Sequence, residues 1–394
     1  MRTNPERAIL VRVIDRGRVG SHRTGNGDKG DLAAAIRQAT AQSRARDPLA
    51  GLHHLPADDS PLDGPIDGLY DEEIGRMGSG RAKSLLDSLP AKQETLYMSW
   101  SEGRIAVFNS RGIRRTARVS ALGFEVRTGR RPGSGRAGDA ARRLAAMDLE
   151  GLIAMARDRR GDGNPGELPA GPTPAVLSPA TVIELLDLLN HTSFSAKAYY
   201  DGTSFLREHI NIQVFDRRFH LLDDGTESAG LPFPFDLEGT AKGPIDLIAK
   251  GTPKTPTLDQ RQAAVLGLPP TAHAIGGDNA QAENLFLETG EETEAELVEK
   301  TGDGIWVGWL ENLECYEPKR VLFRARARGV RAIRNGRLGK PLPDFIWEDS
   351  MLRTFSSLPG LASGAASRLS ADGCLGGVTA PAVAVTAIEA NGRS

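Results

Sequence analysis

The sequence predicts an α+β fold: an N-terminal mixed α/β domain with an antiparallel meander, then a mainly antiparallel β C-terminal domain with one buried helix. Three observations lead there. Helical and strand periods alternate over residues 1–160. Strand patterns dominate beyond residue 209. Between the halves, "GDGNPGELPAGPTP", residues 161–174, is rich in Gly and Pro and has no period, so it reads as a linker. Alternation followed by a run of strands argues against a doubly wound parallel sheet.

In the first half, "AILVRVIDRGRVGS" (8–21) alternates apolar and polar residues and predicts a strand. "GDLAAAIRQATAQSRAR" predicts a helix with Asp31 as N-cap. After a Pro/Asp/Gly-rich loop, "RAKSLLDSL" predicts a short helix ended by Pro90. "ETLYMSWSEGRIAVFNSRGIRRTARVSALGFEVRTG" predicts a three-strand meander turning at "SEGR" and "NSRG". "AGDAARRLAAMDLEGLIAMARDRR" predicts a second helix.

The second domain spans 175–394. "AVLS" predicts a strand, and Ser178-Pro179 then stand in N-cap and N1 order. Val182, Ile183, Leu185, Leu186, Leu188 and Leu189 cover most of the following helix, so it is expected to be buried. Strands are expected at "INIQVFDRRFHLLDDG", "PIDLIAKG", "NLFLETG", "GIWVGWL", "VLFRARARGVRAIRNGRL" and "PAVAVTAIEANG". "TEAELVEKTG" predicts a short helix.

Composition excludes little but excludes it clearly. The 394 residues carry a net charge of −2, which demands neither a nucleic-acid nor a membrane partner. The two cysteines, Cys315 and Cys374, lie far apart without metal-knuckle spacing, which argues for a reducing compartment over a disulfide framework. The N-terminus shows no apolar signal region. The longest weakly polar run, "GGVTAPAVAVTAIEA", is too short to span a bilayer. A cytoplasmic protein is expected. Acidic residues dominate 278–317 and positive charge fills 319–340. Such blocks are docking surfaces or, more commonly, solvated strand faces.

The motif order in the second half is distinctive. It runs "VLSPATVIELLDLL", "DGTSFL", "HLLDDG", "PFDLEGTAKGPIDLIAKGT", "NLFLETGEETEAEL", "GIWVGW", "GVRAIRNGRL" and "GCLGGVTAPAVAV". This series resembles the TldD/PmbA family of metallopeptidases, also described as modulators of DNA gyrase. The resemblance covers most of residues 173–391 and is looser in the first half. It implies pairs of related subunits. In the catalytic type, one helix carries His-Glu-x-x-x-His and a C-terminal cysteine completes the metal site. In the TldE/PmbA type that helix lacks the ligands.

His191 falls at the first histidine of that motif, Thr192 replaces the glutamate and Ala196 the second histidine. Zinc hydrolysis needs three protein ligands, an open position for water, and a carboxylate to take its proton. Thr and Ala supply neither base nor ligand, so no catalytic or metal-binding residue is expected in this chain. Cys374 lies roughly where the catalytic subunit places its cysteine. Asp223, Asp224 and Gly225 lie near the family's cleft and, with Cys374, are candidate substrate-facing residues.

The resemblance therefore implies a non-catalytic subunit. Its partner would be a TldD-like homologue that holds the zinc, and the pair would trim flexible peptides or small amide intermediates, natural-product precursors among them. The competing reading is an autonomous hydrolase built from His191, Asp201, His209, His220 or Cys374. A third is a nucleic-acid-associated regulator. Against the second stand simpler roles. His191 suits a helix C-terminus. His209 and His220, an odd number apart on a strand, would face opposite sides. His53 and His54 sit in a polar loop, and nothing near Cys374 in sequence lowers its pKa. Against the third stand the near-neutral charge and the arginines of "RGIRRTAR", which alternate along a strand. "GSGRAG" (133–138) lacks the context of a cofactor loop.

Overall fold

The computed structural model describes residues 8–25, 27–52, 55–57, 68–276, 279–370 and 375–393. Its first unit is a hairpin, β1 (Ile9–Asp15) and β2 (Arg18–Thr24), backed by helix α1 (Lys29–Arg44). The predicted single strand is thus two. Arg16 and Gly17 both take positive φ, 50° and 75°, which is the two-residue turn that matches strand twist. The N-cap of α1 is Asp28, whose carboxylate accepts from Asp31 N, so Asp31 sits inside the first turn instead of capping it.

Short helices α2 (Glu72–Gly75) and α3 (Ser79–Ser88) lead into the meander: β3 (Thr95–Phe108), β4 (Arg114–Thr128) and β5 (Gly135–Ala141). "SEGR" is not a turn, because β3 pairs with β4 without a break from Thr95 to Phe108. What changes there is the buried face. Leu96, Met98 and Trp100 pack with Leu122, Phe124 and Val126 in one apolar cluster. Ile105 and Val107, of opposite parity, pack with Val119, Phe233 and Phe235 in another. The alternation slips by one residue because the strand crosses from one core to the next. The third strand comes from residues read as helix. Only Leu149–Asp158, α4, is α-helical there, capped by Asp148.

The proposed linker runs exposed over 162–165, yet Gly161 N donates to Gly133 O and Gly166 N to Pro341 O. Limited proteolysis is expected to cut first within 161–172. First cuts inside 94–128 would place the boundary in the meander instead.

Beyond it come β6 (Thr173–Leu177), α5 (Pro179–Leu189), a π-helical turn (Asn190–Phe194), α6 (Ala196–Tyr200) and α7 (Leu206–His209). Next are β7 (Leu221–Asp223), β8 (Ile245–Ala249), β9 (Thr252–Pro253), α8 (Gln260–Leu266), β10 (Ala274–Gly276), β11 (Asn279–Ala280) and β12 (Asn284–Leu287). Helix α9 (Glu294–Thr301), with a capping box from Thr293 and Glu296, precedes β13 (Gly304–Val307), β14 (Trp309–Glu317), β15 (Leu322–Arg328), β16 (Arg331–Arg334) and β17 (Arg337–Pro341). The chain ends with β18 (Phe345–Ser350), α10 (Met351–Thr354), β19 (Gly360–Leu369), β20 (Gly377–Ile388) and β21 (Asn391–Arg393).

Most of these strands form one large sheet, ordered β17-β16-β13-β6-β20-β12-β7-β8-β9, with β19 also on β20. Only β6/β13 and β12/β20 pair in parallel among the described residues. Strand β20, "GVTAPAVAVTAI", is buried almost throughout, as expected of a central strand with both faces covered. Its Pro381 is tolerated beside the register shift in β19. Helix α5 lies in the main core with an aromatic chain, Phe205, Phe215, Phe219 and Phe355, successive rings 4.9–6.0 Å apart.

Two expectations fail in this half. Residues 210–220 are not a strand; α7 and a loop precede the short β7, so His209 and His220 share no strand. The acidic and basic blocks are not separate surfaces either. In the sheet β14-β15-β18-β21, Glu311 pairs opposite Arg326 and Glu314 opposite Arg324. Arg328 lies 3.0 Å from Glu311 and Arg324 3.0 Å from Glu348. The sequence blocks neutralise each other across the hairpin.

Candidate functional site

Helix α5 begins where Ser178 Oγ accepts from Thr181 N, and it buries all but one stripe. That stripe is Ala180, Glu184, Asp187 and Leu188, and His191 follows it in the π-helical turn. The Glu184 carboxylate accepts from Leu310 N at 2.6 Å and lies 3.4 Å from Arg136 and 4.0 Å from Arg368. Burial pushes its pKa up, against the pull of Arg136. Asp187 holds Arg368 at 2.7 Å, and His191 Nε2 lies 3.5 Å from Asp187. An ionic chain therefore runs from the N-terminal half to His191.

Ala180 and Glu184 of this stripe border a groove of about 1020 Å³. Its floor includes Tyr97, Ser99, Gly123 and Gly138 on the meander. One wall is α4, with Leu152, Met155 and Arg159; the other is β19, with Ser363, Gly364, Ala365 and Arg368. The two halves are fastened along this seam. Ser367 N donates to Asp139 Oδ1 at 2.8 Å, and Arg159 lies 2.6 Å from Glu294. Burial raises the Asp139 pKa.

The motif positions themselves do not converge on a ligand set. His191 is exposed, and its Nδ1 meets Gln281 Nε2 at 3.1 Å. Thr192 Oγ1 donates to Leu188 O at 2.7 Å and also meets the Cys315 thiol, whose pKa burial raises. Ala196, 1% exposed, is packed with Leu258 and Ala263. Between them Ser195 takes extended backbone (φ −63°, ψ 140°) and caps α6 through Ala198 N, so residues 191 and 196 belong to different helical segments. A catalytic zinc does not fit these three positions: Ala196 has no donor atom, and the Thr192 hydroxyl is committed to the backbone.

The other candidates are scattered. Asp201 pairs with Lys197. His209 Nδ1 meets Phe205 O at 2.8 Å within its own turn. His220 stands between Asp246 (2.7 Å) and Glu288 (3.1 Å). Cys374, His53 and His54 lie outside the described residues. Three of the four arginines of "RGIRRTAR" make contacts within the chain. Arg111 donates to Leu55 O, Arg115 to Gly239 O, and Arg118 stacks 3.7 Å from the Tyr70 ring centroid.

Asp223, Asp224 and Gly225 do not line the groove. Asp224 Oδ1 closes a local turn by accepting from Thr226 N, and Gly225 is buried. Asp223 is fully buried and organises a polar hub. Its Oδ2 accepts from Glu283 N and Asn284 N, both at 2.7 Å, tying β7 to the start of β12. Around its Oδ1 stand His273 Nε2 at 3.1 Å and Lys242 Nζ at 3.7 Å. Burial alone would raise the carboxyl pKa, but Lys242 and His273 beside it hold it well below the usual range. Nearby Asp236, without so close a cation, is pushed up to about 6 by burial. Lys242 falls within the "PFDLEGTAKGPIDLIAKGT" run and His273 within none of the quoted motifs; their loss of solvent, visible only in the fold, marks both.

Together these features define an α+β protein with a broad groove beside the least buried face of helix α5. Residues 170–392 match the family model described as the PmbA/TldA metallopeptidase C-terminal domain, and the chain belongs to that metallopeptidase family. Solved structures share the fold across nearly the whole chain. TldE from Thermococcus kodakarensis is 16% identical, with 98% of this chain and 90% of that chain covered and a TM-score of 0.82. A candidate modulator of a DNA gyrase from Thermotoga maritima MSB8 is 16% identical, with 97% and 88% covered and a TM-score of 0.81. Another candidate modulator of DNA gyrase, from Bacteroides thetaiotaomicron VPI-5482, is 19% identical, with 96% and 87% covered and a TM-score of 0.75. At these identities the likeness is one of fold. A comparison with curated proteins finds no match.

Proposed function

We propose that this chain is the non-metal subunit of a cytoplasmic, heterodimeric metallopeptidase. A TldD-like homologue supplies the zinc and the general base. This chain walls the shared cavity and holds flexible peptides, or small amide intermediates of natural-product type, in extended form. The observation that carries the reading is Ala196, buried against Leu258 and Ala263 where a second metal ligand would be required. A scaffold retained over residues 170–392 without that chemistry points to a role for its surfaces. Supporting it, among the described residues β19 pairs only with β20 apart from a bridge between Ala362 and Glu292. Its exposed Ser363–Ala365 segment borders the groove. A strand edge of this kind accepts many peptide sequences through backbone hydrogen bonds. No helix among the described residues is long and apolar enough to cross a membrane.

The test is co-expression with a homologue carrying His-Glu-x-x-x-His, then size-exclusion chromatography and peptide cleavage by each subunit and the mixture. Cleavage is expected from the mixture alone. Full activity from the homologue by itself, or no complex at micromolar concentration, rejects the subunit reading.

A further inference from the structure

We infer that the groove selects uncharged extended segments and excludes ionised side chains. This rests on the reading of the groove as a peptide site. The charged residues lining it are four carboxylates, Glu125, Asp139, Glu184 and Glu294, and four arginines, Arg127, Arg136, Arg159 and Arg368. Their formal charges sum to zero, and each is already engaged. Glu125 holds Arg127 at 2.5 Å and Arg136 at 2.7 Å. Glu294 accepts from Arg159 and from Trp306 Nε1 at 2.8 Å. Arg368 is held by Asp187, Glu184 accepts from Leu310 N, and Asp139 accepts from Ala140 N and Ser367 N.

A ligand charge entering here finds every lining arginine already paired and, among the carboxylates, only the backbone-held Asp139 without a cation, so it loses water for little return. What remains to bind a ligand is apolar surface, chiefly Met155, Tyr97 and Trp100, and the backbone of Gly364 and Ala365, since Ser363 N is already bonded to Glu292 O. Gly123 sets the depth of the floor. A Cβ there would lie 2.9 Å from Ser99 Oγ and 3.5 Å from Leu369 Cδ1, so a larger side chain fills the groove.

The experiment is fluorescence anisotropy on the full chain alone. The probes are a labelled peptide of Ser, Val, Leu and Gly, and versions with Lys or Asp at alternate positions. The neutral probe is expected to bind at least about tenfold more tightly than either charged version. Its affinity should change less than about twofold between about 50 and about 300 mM salt, because no ion pair forms across the interface. Gly123→Val should abolish binding. Should that variant unfold, Ser363→Tyr, at an exposed position on the groove wall, serves the same purpose. Equal binding of charged and neutral probes, steep salt dependence, indifference to both variants, or no binding of any probe overturns the inference. Complex formation with the metal-bearing homologue is measured separately, so failure here is distinguishable from failure of the subunit reading.

Discussion

Asp223→Ala is expected to destabilise the chain by about 3–5 kcal/mol, the usual cost of leaving buried charge uncompensated. Asp223 is completely buried, and the Lys242 and His273 side chains beside it are 3% and 1% exposed. Alanine removes the counter-charge of Lys242, the carboxylate beside His273 Nε2 and the acceptor for Glu283 N and Asn284 N. Adding Lys242→Met should recover part of the loss, since one orphaned cation is then replaced by an apolar side chain. Urea unfolding followed by circular dichroism measures both effects. A loss below about 1 kcal/mol would mean that the hub is not the pin described here.

The same hub sets an acid limit. The folded pKa of Asp223 is depressed, because Lys242 and His273 outweigh the burial that would raise it. Its stabilisation is therefore complete above the unfolded value, about 3.9, and is lost as pH falls from there toward the folded value. The wild-type chain should lose stability steeply below about pH 4, and Asp223→Ala should lose less over the same range.

The double substitution Thr192→Glu with Ala196→His is expected to yield neither a zinc site nor activity. Position 196 is closed by Leu258 and Ala263, so an imidazole there overpacks a filled site at about 1–3 kcal/mol. The extended backbone at Ser195 breaks the helical spacing that two ligands four or five residues apart require. The change at Thr192 would also remove the hydroxyl now bonded to Leu188 O. Elemental analysis after dialysis should find no stoichiometric zinc in the wild type or the variant, together with a lowered unfolding midpoint in the variant. About one tightly held zinc per variant chain would show that the segment can re-form a continuous helix.

Much of the fold and part of the site were legible in local patterns. Ser178-Pro179 and Thr293 with Glu296 mark real helix starts, because capping is chemistry among neighbours. The apolar circumference of α5 predicts its burial. The substitutions Thr192 and Ala196 reveal the missing ligand chemistry at once, since residue type alone decides what can bind a metal. The motif series identifies the family, which the match over 170–392 bears out.

What the sequence alone could not decide depends on partners distant along the chain. "SEGR" reads as a turn because the alternation slips there; only the two cores on opposite sides of β3 reveal a continuous strand changing its buried face. Residues 135–141 carry a helix-like composition, and their place beside β4 makes them a strand. The acidic and basic blocks look like separate fields until the hairpin lays Glu314 against Arg324. Asp223, Lys242 and His273 lie in three separate segments, and folding brings both side chains within 4 Å of the carboxylate. The sequence by itself determined the class of fold, the family and the residue types, Thr192 and Ala196, at two positions of the motif. Tertiary structure decided which faces are buried, which charges cancel and where the groove lies. The physical reason is that propensity, capping and ligand chemistry act within a few residues, whereas desolvation and charge pairing act through space.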